Sequence, residues 1–288
     1  MLLSMTGFGE GRSESDSIAV VVEVRTINGR HLKTNYRCTD GYSQLEPQIE
    51  AVLRDSVRRG SVQVNLKVNR HAAADDFHVN LDVLEGYRRQ LVKLASEVRV
   101  ESLLMLPGVV QMPDAAEADI ERDWPAVSEA LNAATERLTA MRAKEGEALA
   151  ADLANQCEVI ATELAGVAER APEVVSNYRD KLHERVTRAL EKFSTGLEPG
   201  DLVREVALFA DRCDISEEIV RLRSHIEQFL AAIALPESSG RKLEFIAQEM
   251  GREVNTIGSK ANDTEISRRV VEMKTALERI REQVQNVE

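Results

Sequence analysis

Apolar and polar side chains alternate along two segments near the N-terminus, and this period of two predicts β-strands. The first segment is Ser17–Ile27 (SIAVVVEVRTI), which ends at an Asn-Gly turn signal. The second is Ser61–Val68 (SVQVNLKV). Leu2–Gly9 and Leu32–Cys38 are two further candidate strands.

In the rest of the chain, apolar residues recur every three or four positions, which predicts helices. This spacing covers Leu45–Val57 and Leu81–Val100. From about residue 126 to residue 193 the helical pattern is interrupted only at Pro172, so the simplest prediction is two long helices arranged as a hairpin. After a loop rich in glycine and proline, helices are predicted at about 201–212, about 215–234, and from 240 onward, with a break near Gly258 and a continuation at about 263–286.

These elements predict an α+β fold with a small mixed N-terminal sheet and a helix, followed by a long helical hairpin and a C-terminal helical domain. The predicted domains are residues 1–117 (α+β), 118–200 (the acidic helical hairpin) and 201–288 (the helical domain with the candidate site). Aromatic residues make up only 4% of the 288 residues, which indicates helix packing through Leu, Ile, Val and Ala.

The formal net charge of −12 is unevenly distributed along the chain. Residues 1–70 contain 10 Lys and Arg against 8 Asp and Glu, whereas residues 71–200 contain 14 against 24. Charge alone therefore argues against a nucleic-acid partner, which would need a local basic groove or a bound metal.

The three cysteines, Cys38, Cys157 and Cys213, show neither a CxxC pair nor the spacing of zinc ligands. Their odd number predicts reduced thiols in a cytosolic protein. The chain starts without a basic and apolar leader, and it has no run of about 18 apolar residues. We therefore expect a soluble, cytoplasmic protein with no membrane partner.

The densest group of functional side chains lies between Gln248 and Asp263 (QEMGREVNTIGSKAND). On a helix, Glu249, Arg252 and Glu253 share one face. Carboxylates, a guanidinium, amides and a lysine close to a helix end suit a phosphate, a divalent metal, or both. The alternative is a solvated helix face followed by a helix start with Asp263 as its N-cap.

A second polar stripe lies on the preceding helix, within DRCDISEEIVRLRSHIEQF at 211–229. Asp214, Glu218, Arg221 and His225 fall at i, i+4, i+7 and i+11. An imidazole suits proton transfer at neutral pH, so His225 could act as a general acid or base. The alternative is a surface helix with ordinary i,i+4 salt bridges.

The N-terminal part offers two further candidates. In SMTGFG at 4–9 the glycines around Phe8 indicate either a strand with a close backbone approach or an edge on which Phe8 stacks with RNA. The segment lacks the Gly-Lys-Ser/Thr element of a phosphate loop. Basic residues of this part could bind phosphates or be ordinary surface charge; they are Arg25, Arg30, His31, Arg37, Arg58, Arg59 and Lys67, with Asn28 among them.

Several segments together resemble the YicC/YloC family of bacterial proteins. The matching segments are SMTGFG at 4–9, VEVRTINGRHL at 22–32, RRGSVQV at 58–64, LLMLPGVV at 103–110, FADRCDISEEIVRLRSHIEQF at 209–229, GRKLEFIAQEMGREVNTIGSKANDTEIS at 240–267 and VVEMKTALERIREQVQNVE at 270–288. One position departs from the family pattern, because Gly251 stands where the family usually has Asn.

The resemblance implies an endoribonuclease, metal-dependent, that acts on single-stranded or structured RNA within a ring-like homohexamer. The RNA substrate that the resemblance implies conflicts with the expectation from net charge, which argued against a nucleic-acid partner. A closed assembly could line its interior with basic N-terminal residues while the acidic middle segments face solvent. Other RNA-degradation proteins are candidate partners.

Residue type and motif position together suggest individual roles. Glu249, Glu253 and Asp263 are candidate ligands of Mg²⁺ or Mn²⁺, since hard cations prefer oxygen. Arg221, Arg252 and Lys260 are candidates for stabilising negative charge, and His225 for acid–base catalysis. The candidate RNA-binding residues are Phe8, Arg25, Arg30, His31, Arg58, Arg59 and Asn255.

Three alternatives stay open at this stage. His225 could activate the ribose 2′-hydroxyl without a metal, which would leave a cyclic phosphate. The protein could instead be a non-catalytic RNA-binding adaptor or chaperone that presents RNA to another nuclease. A purely structural helical scaffold is the third alternative, and it leaves the polar residues at 248–263 unexplained.

Overall fold

The computed structural model describes residues 2–15, 17–29, 31–70, 78–92, 99–111, 120–190, 199–235 and 240–288. The chain divides into two compact units: Thr6–Met141 form one, and Met1–Met5 with Arg142–Glu288 form the other. The predicted domain limit at residue 117 lies outside the described residues, and both predicted limits stay predictions.

The strands and helices are numbered in chain order. The strands are β1 (Gly7–Glu14), β2 (Ile18–Ile27), β3 (Lys33–Cys38), β4 (Ser61–Arg70), β5 (His78–Val79) and β6 (Val110–Gln111). The helices are α1 (Glu46–Ser56), α2 (Leu81–Leu91), α3 (Val100–Leu103), α4 (Ile120–Leu190), α5 (Pro199–Cys213), α6 (Ser216–Ile233), α7 (Gly240–Lys260) and α8 (Thr264–Val284). This arrangement confirms the α+β class and the order of three strands, a helix and a fourth strand.

The first four strands form a mixed sheet in the order β1-β2-β4-β3. The β1–β2 and β2–β4 pairs are antiparallel, and β3 runs parallel to β4. Alternation assigns one face of the sheet to the core, where valines of β2 and β4 pack with α1 and the first part of α4. The other face carries polar side chains and is exposed to solvent.

Glycines in β1 allow the strand to lie directly on the backbone of α4. A Cβ atom on Gly9 would stand 1.9 Å from the carbonyl oxygen of Ala134, and one on Gly11 would stand 1.8 Å from that of Ala130. Any side chain would therefore force strand and helix apart. This confirms the close backbone approach that the SMTGFG segment predicted as one of its two interpretations.

The second unit is built from the C-terminal part of α4 and helices α5 to α8 around one apolar core. The N-terminal segment joins this core through Leu2, and Ser4 forms a bridge with Val287 near the C-terminus. Arg142 is fully buried, donates from Nε to the Ser4 carbonyl at 2.6 Å, and forms an ion pair with Glu288. Both ends of the chain are therefore fixed to the same helical unit.

The predicted helical hairpin is wrong, because α4 is a single helix of 71 residues that runs through Pro172. Proline inside a helix costs about 3 kcal/mol, since it removes one hydrogen bond and crowds the preceding turn. The Pro172 ring is exposed, whereas Val167 and Val174 on either side of it are buried. Burial of the flanking turns therefore keeps the helix continuous.

The predicted break near Gly258 is displaced by a few residues. Gly258 lies within α7, which ends at Lys260, and the next helix begins at Thr264 with Asp263 as its N-cap. The small residue serves packing here, because a Cβ atom on Gly258 would stand 3.0 Å from Cγ1 of Val270. No helix among the described residues is both long and apolar enough to cross a membrane.

Candidate active site on the α6–α7 helix pair

One ion pair sets the register between helices α6 and α7. Nζ of Lys260, at the end of α7, donates to Glu218 Oε1 at 2.7 Å and to the carbonyl oxygen of Asp214 at 3.1 Å, at the start of α6. The two helices are therefore antiparallel. His225 follows Glu218 by seven positions, and Glu253 precedes Lys260 by seven. Seven residues are about two turns, or roughly 10.5 Å, so His225 and Glu253 lie level with each other.

The Glu218–Lys260 pair and the His225–Glu253 pair also lie on the same flank of helices α6 and α7. Residues seven positions apart share a helix face, so His225 lies on the Glu218 side of α6 and Glu253 lies on the Lys260 side of α7. The apolar residues Leu222, Ile226, Met250 and Val254 are buried beside this flank. By this register, five predicted site residues from two separate motifs fall on the α6–α7 flank: Arg221, His225, Glu249, Glu253 and Lys260.

Glu253 is a buried carboxylate on this flank, with only 4% of its surface exposed. Within the described part of the chain, neither a cation within salt-bridge distance nor a hydrogen-bond donor accompanies it. A carboxylate at this position can accept from a ligand cation, a ligand hydroxyl or a protonated imidazole. His225, which is half-buried, comes level with Glu253 by this register.

Glu218 is 5% exposed and holds Lys260 in place. Its Oε1 accepts from Lys260, whereas its Oε2 is buried and has no hydrogen-bond partner in the described structure. The hydrogen bond to Glu218 raises the pKa of Lys260, so its ammonium stays charged at neutral pH. Asp214 next to it has a lowered pKa, because the backbone N–H of Ser216 donates to its carboxylate.

The arginines of the site are held only loosely. Arg221 pairs with Glu217, and Arg252 pairs with Glu249 across 3.7 Å. Both pairs are exposed i,i+4 or i,i+3 contacts, which contribute little to stability. Either guanidinium can therefore exchange its carboxylate for a phosphate at small cost.

Asn255 does not share this flank. Two residues on a helix are separated by about 200° of rotation, so Asn255 faces away from Glu253. Its side chain is exposed on the other side of α7.

Asp263 is engaged elsewhere. Its Oδ1 accepts from the backbone N–H groups of Glu265 and Ile266, which caps α8, and Arg170 of α4 pairs with it at 3.0 Å. The Arg170 guanidinium, and next the capping N–H groups, lower the pKa of Asp263. Among the described residues no group of three or more His, Cys, Asp and Glu side chains is placed to hold a metal ion. Glu249 and Glu253 are the two predicted ligands that share the α6–α7 flank.

Gly251, the position that departs from the family pattern, is buried against α8. A Cβ atom there would stand 2.5 Å from Nη2 of Arg281. The Arg281 side chain therefore covers the space in which a larger residue at position 251 would lie.

The N-terminal candidates belong to the unit Thr6–Met141. Phe8 and Arg25 face each other as cross-strand partners on the exposed side of the sheet, with the guanidinium 5.9 Å from the ring centre. His31, Arg58 and Arg59 follow β2 or precede β4 at the sheet end. Arg30 lies outside the described residues.

Sequence reasoning named Glu218 in the α6 stripe but did not include it among the site residues. Its spacing of seven from His225 was the available signal, whereas its burial and its pairing with Lys260 needed the structure. Asn35 and Gln63 of the exposed sheet face were missed as well, although strand alternation places both on the face of Phe8.

Comparison with known proteins agrees with both groups of motifs. Residues 2–151 match the family described as "Endoribonuclease YicC-like, N-terminal region", and residues 167–288 match "Endoribonuclease YicC-like, C-terminal". "Probable endoribonuclease YicC" of Clostridioides difficile (strain 630) is 36% identical over 298 aligned positions, with 100% of both chains covered. The protein of the same name from Haemophilus influenzae is 30% identical, again with 100% of both chains covered. The chain therefore belongs to the YicC-like endoribonuclease family.

Proposed function

We propose that the protein is an endoribonuclease and that it cleaves RNA phosphodiester bonds at the α6–α7 flank. The observation that carries this proposal is the level arrangement of His225 and Glu253 two turns from the Glu218–Lys260 pair. It combines an imidazole, an unpaired carboxylate and a fixed ammonium on one surface. The names of the relatives supply the reaction class.

RNA cleavage requires a base for the nucleophile, an acid for the leaving oxygen, and positive charge at the phosphate. In our proposal His225 transfers the proton, and Glu253 orients its imidazole and stabilises the protonated form. Lys260 binds a non-bridging phosphate oxygen, and Glu218 positions its ammonium. Arg221 and Arg252 add mobile positive charge on the edge of the same surface, while Asn255 contacts RNA outside the reacting phosphate.

We also propose that a divalent cation, Mg²⁺ or Mn²⁺, takes part. The full set of Glu249, Glu253 and Asp263 does not fit a protein-held ion, because Asp263 caps α8 and pairs with Arg170. Glu249 and Glu253 alone suit a cation that is shared with RNA phosphates, which is the usual way in which Mg²⁺ is held at phosphoryl sites. When bound, such an ion would lower the pKa of a water molecule and neutralise phosphate charge.

The assembly that we propose is a ring-like homohexamer in the cytoplasm. Support comes from apolar side chains that are more than half exposed on the helical unit, since large exposed apolar residues mark association surfaces. They are Val203, Val220, Phe245 and Val271. Phe245→Ser should shift the sedimentation coefficient toward a smaller species if this surface joins subunits, whereas an unchanged coefficient excludes Phe245 from the contact.

The decisive experiment is cleavage of an end-labelled structured RNA by the wild type, His225→Ala and Glu253→Gln, with Mn²⁺ and with EDTA. Matched controls are His183→Ala on α4 and Glu244→Gln on the exposed side of α7. We expect both site variants to lose about 10²- to 10⁴-fold in rate, as for removal of a general acid or base. Both controls should retain the wild-type rate.

The products and the variants together separate the remaining mechanisms. Products with a 5′-phosphate indicate attack by water, whereas 5′-hydroxyl products indicate attack by the ribose 2′-hydroxyl. Cleavage that persists in EDTA would contradict the metal proposal alone. Equal cleavage by all four variants would place the reaction elsewhere, and RNA binding without any cleavage would favour the adaptor function.

A further inference from the structure

The exposed face of the N-terminal sheet carries a depression of about 420 Å³ that the reaction described above does not use. Its polar lining comes from β2, β3 and β4, and β1 contributes one aromatic ring. The lining side chains that matter here are Phe8, Arg25, Asn35, Arg37 and Gln63. The volume falls within the range of about 300–1,000 Å³ that is typical of small-ligand sites.

Strand register explains how these side chains meet. Phe8 pairs with Arg25, Arg25 pairs with Gln63, and Gln63 pairs with Asn35, so one row crosses the sheet from edge to edge. Phe8, Arg25 and Gln63 point away from the core, because their neighbours along each strand are buried. Asn35 is likewise exposed, between two half-buried neighbours. The sheet thus presents an aromatic ring, a guanidinium and two amides in one line.

The row behind it adds a second guanidinium. Glu23, Asn65 and Arg37 form the next row in the same register, and each lies two residues from a member of the first row on its strand. The amide of Asn65 donates to Glu23 at 3.0 Å, and Lys67 lies 3.9 Å from the same carboxylate. Glu23 is thus already partnered by an amide and a lysine of β4, whereas in the described structure neither Arg25 nor Arg37 has an acidic partner. This part of the face therefore favours an anion.

The chemistry of the depression matches one nucleotide of single-stranded RNA. Phe8 is 38% exposed, and its ring lies 5.9 Å from the Arg25 guanidinium. Unpaired bases stack on aromatic rings and on guanidinium planes, and their edges bond to amides. Bases within a duplex cannot do so, because their faces are covered by neighbouring base pairs.

We infer that the exposed sheet face around Phe8 is a binding site for an unpaired nucleotide of single-stranded RNA. The base stacks against Phe8 and Arg25, Gln63 and Asn35 bond to its edge, and Arg37 binds the adjoining phosphate. The inference rests on the proposed function and deepens it. It names single-stranded RNA as the ligand of the sheet, at a site separate from the phosphodiester bond that is cleaved. The site binds RNA and performs no chemistry.

The test is binding of a fluorescent single-stranded oligouridine with 2′-O-methyl riboses, which block attack by the 2′-hydroxyl, measured by anisotropy with the full chain in EDTA. Phe8→Ala should weaken binding by about 5- to 150-fold, the factor that corresponds to the loss of one stacked base at about 1–3 kcal/mol. Phe8→Trp should restore binding, since it returns an aromatic face. Ile27→Ala is the matched control, because Ile27 is an exposed apolar residue of the same sheet face outside the depression.

Failure of this site and failure of the proposed nuclease give different results. If Phe8→Ala and Ile27→Ala bind the oligonucleotide as the wild type does, the sheet site is overturned, whether or not cleavage depends on His225. If Phe8→Ala weakens binding and no variant or wild type cleaves RNA, the sheet site stands and the nuclease proposal falls. Equal weakening by Phe8→Ala for a fully paired duplex would also contradict the inference, because a duplex offers no free base.

Discussion

Lys260 of α7 and Glu218 of α6 form an ion pair of 2.7 Å at one end of the flank that carries His225 and Glu253. The pair is asymmetric, because Glu218 is almost fully buried while 37% of the Lys260 side chain is exposed. Burial of a carboxylate that keeps one oxygen without a hydrogen bond in the described structure costs free energy. Such an arrangement is understandable if the ammonium it holds serves a second negative group, namely RNA phosphate.

The first prediction concerns this pair. Glu218→Gln keeps the shape of the side chain but removes the charge that fixes Lys260, so we expect a lower rate of RNA cleavage at saturating RNA. Lys260→Met should lower the rate further, because it removes the cation itself. In the double variant the effect of Glu218→Gln should vanish, which a double-mutant cycle on kcat measures. Independent, additive effects would show that Glu218 does not act through Lys260.

The raised pKa of Lys260 predicts that the free energy of unfolding depends on pH through the same ion pair. Its folded-state pKa is raised by Glu218, so the stabilisation is complete below the unfolded value of 10.5 and is lost as pH rises through the higher folded value. The free energy of unfolding, measured with urea, should therefore fall more steeply above pH 10.5 for the wild type than for Glu218→Gln. Parallel curves for the two proteins would contradict this coupling.

A second prediction separates the capping role of Asp263 from metal binding. Asp263→Ala should lower the free energy of unfolding by about 1 kcal/mol, the usual cost of losing an N-cap, whereas Asp263→Asn should retain the cap. Arg170 lowers the pKa of Asp263, so the ionised carboxylate stabilises the folded state above pH 3.8, and the wild type should lose this contribution as the pH falls below that value. Asp263→Asn has no carboxylate, so it should lack this contribution at every pH. Urea unfolding at several pH values measures both effects.

Cleavage provides the control for this interpretation. Per folded molecule, both Asp263 variants should cut RNA with the same dependence on Mn²⁺ concentration as the wild type. A large rise in the Mn²⁺ concentration needed by Asp263→Asn would instead restore Asp263 as a ligand.

A third prediction tests the contact between β1 and α4. Gly9→Ala places a Cβ atom 1.9 Å from a helix carbonyl oxygen, and no flexible side chain lies there that could move away. We expect a loss of at least about 1–3 kcal/mol in the free energy of unfolding, as for overpacked cores. The matched control is Gly86→Ala in α2, where no atom lies within 4 Å of the added Cβ. That change should be neutral or stabilising by up to about 1 kcal/mol, and equal melting temperatures for both variants would contradict the strand–helix contact.

The fourth prediction concerns the continuity of α4. Pro172→Ala restores a helical hydrogen bond and relieves the crowding of the preceding turn, so it should increase the free energy of unfolding by about 1–3 kcal/mol. The ring is exposed, so little packing is lost. Circular dichroism during urea unfolding measures the gain. A destabilised variant would show that the Pro172 ring contributes more to stability than the missing hydrogen bond costs.

Local patterns were sufficient for most of the elements. Clean alternation predicted β4, and partial alternation with β-branched residues predicted β2. Helical spacing predicted α1, α6, α7 and α8 with small errors at their ends. The Asp263 N-cap was predicted as the alternative to a metal ligand, because Asp is a favoured N-cap residue. The hairpin failed for a physical reason, since the cost of one proline is local whereas the burial that outweighs it comes from residues distant in sequence.

The sequence by itself determined which residue types are concentrated at 211–229 and 248–263, the family to which they belong, and the face of each helix on which they lie. The tertiary structure alone decided which of those faces meet. Pairing of Lys260 with Glu218 set the register by which His225 and Glu253 come level, because the register between two helices depends on contacts between distant segments. Asp263 caps α8 instead of joining them. The same holds for Phe8, whose row of partners exists only because hydrogen bonding aligned four strands.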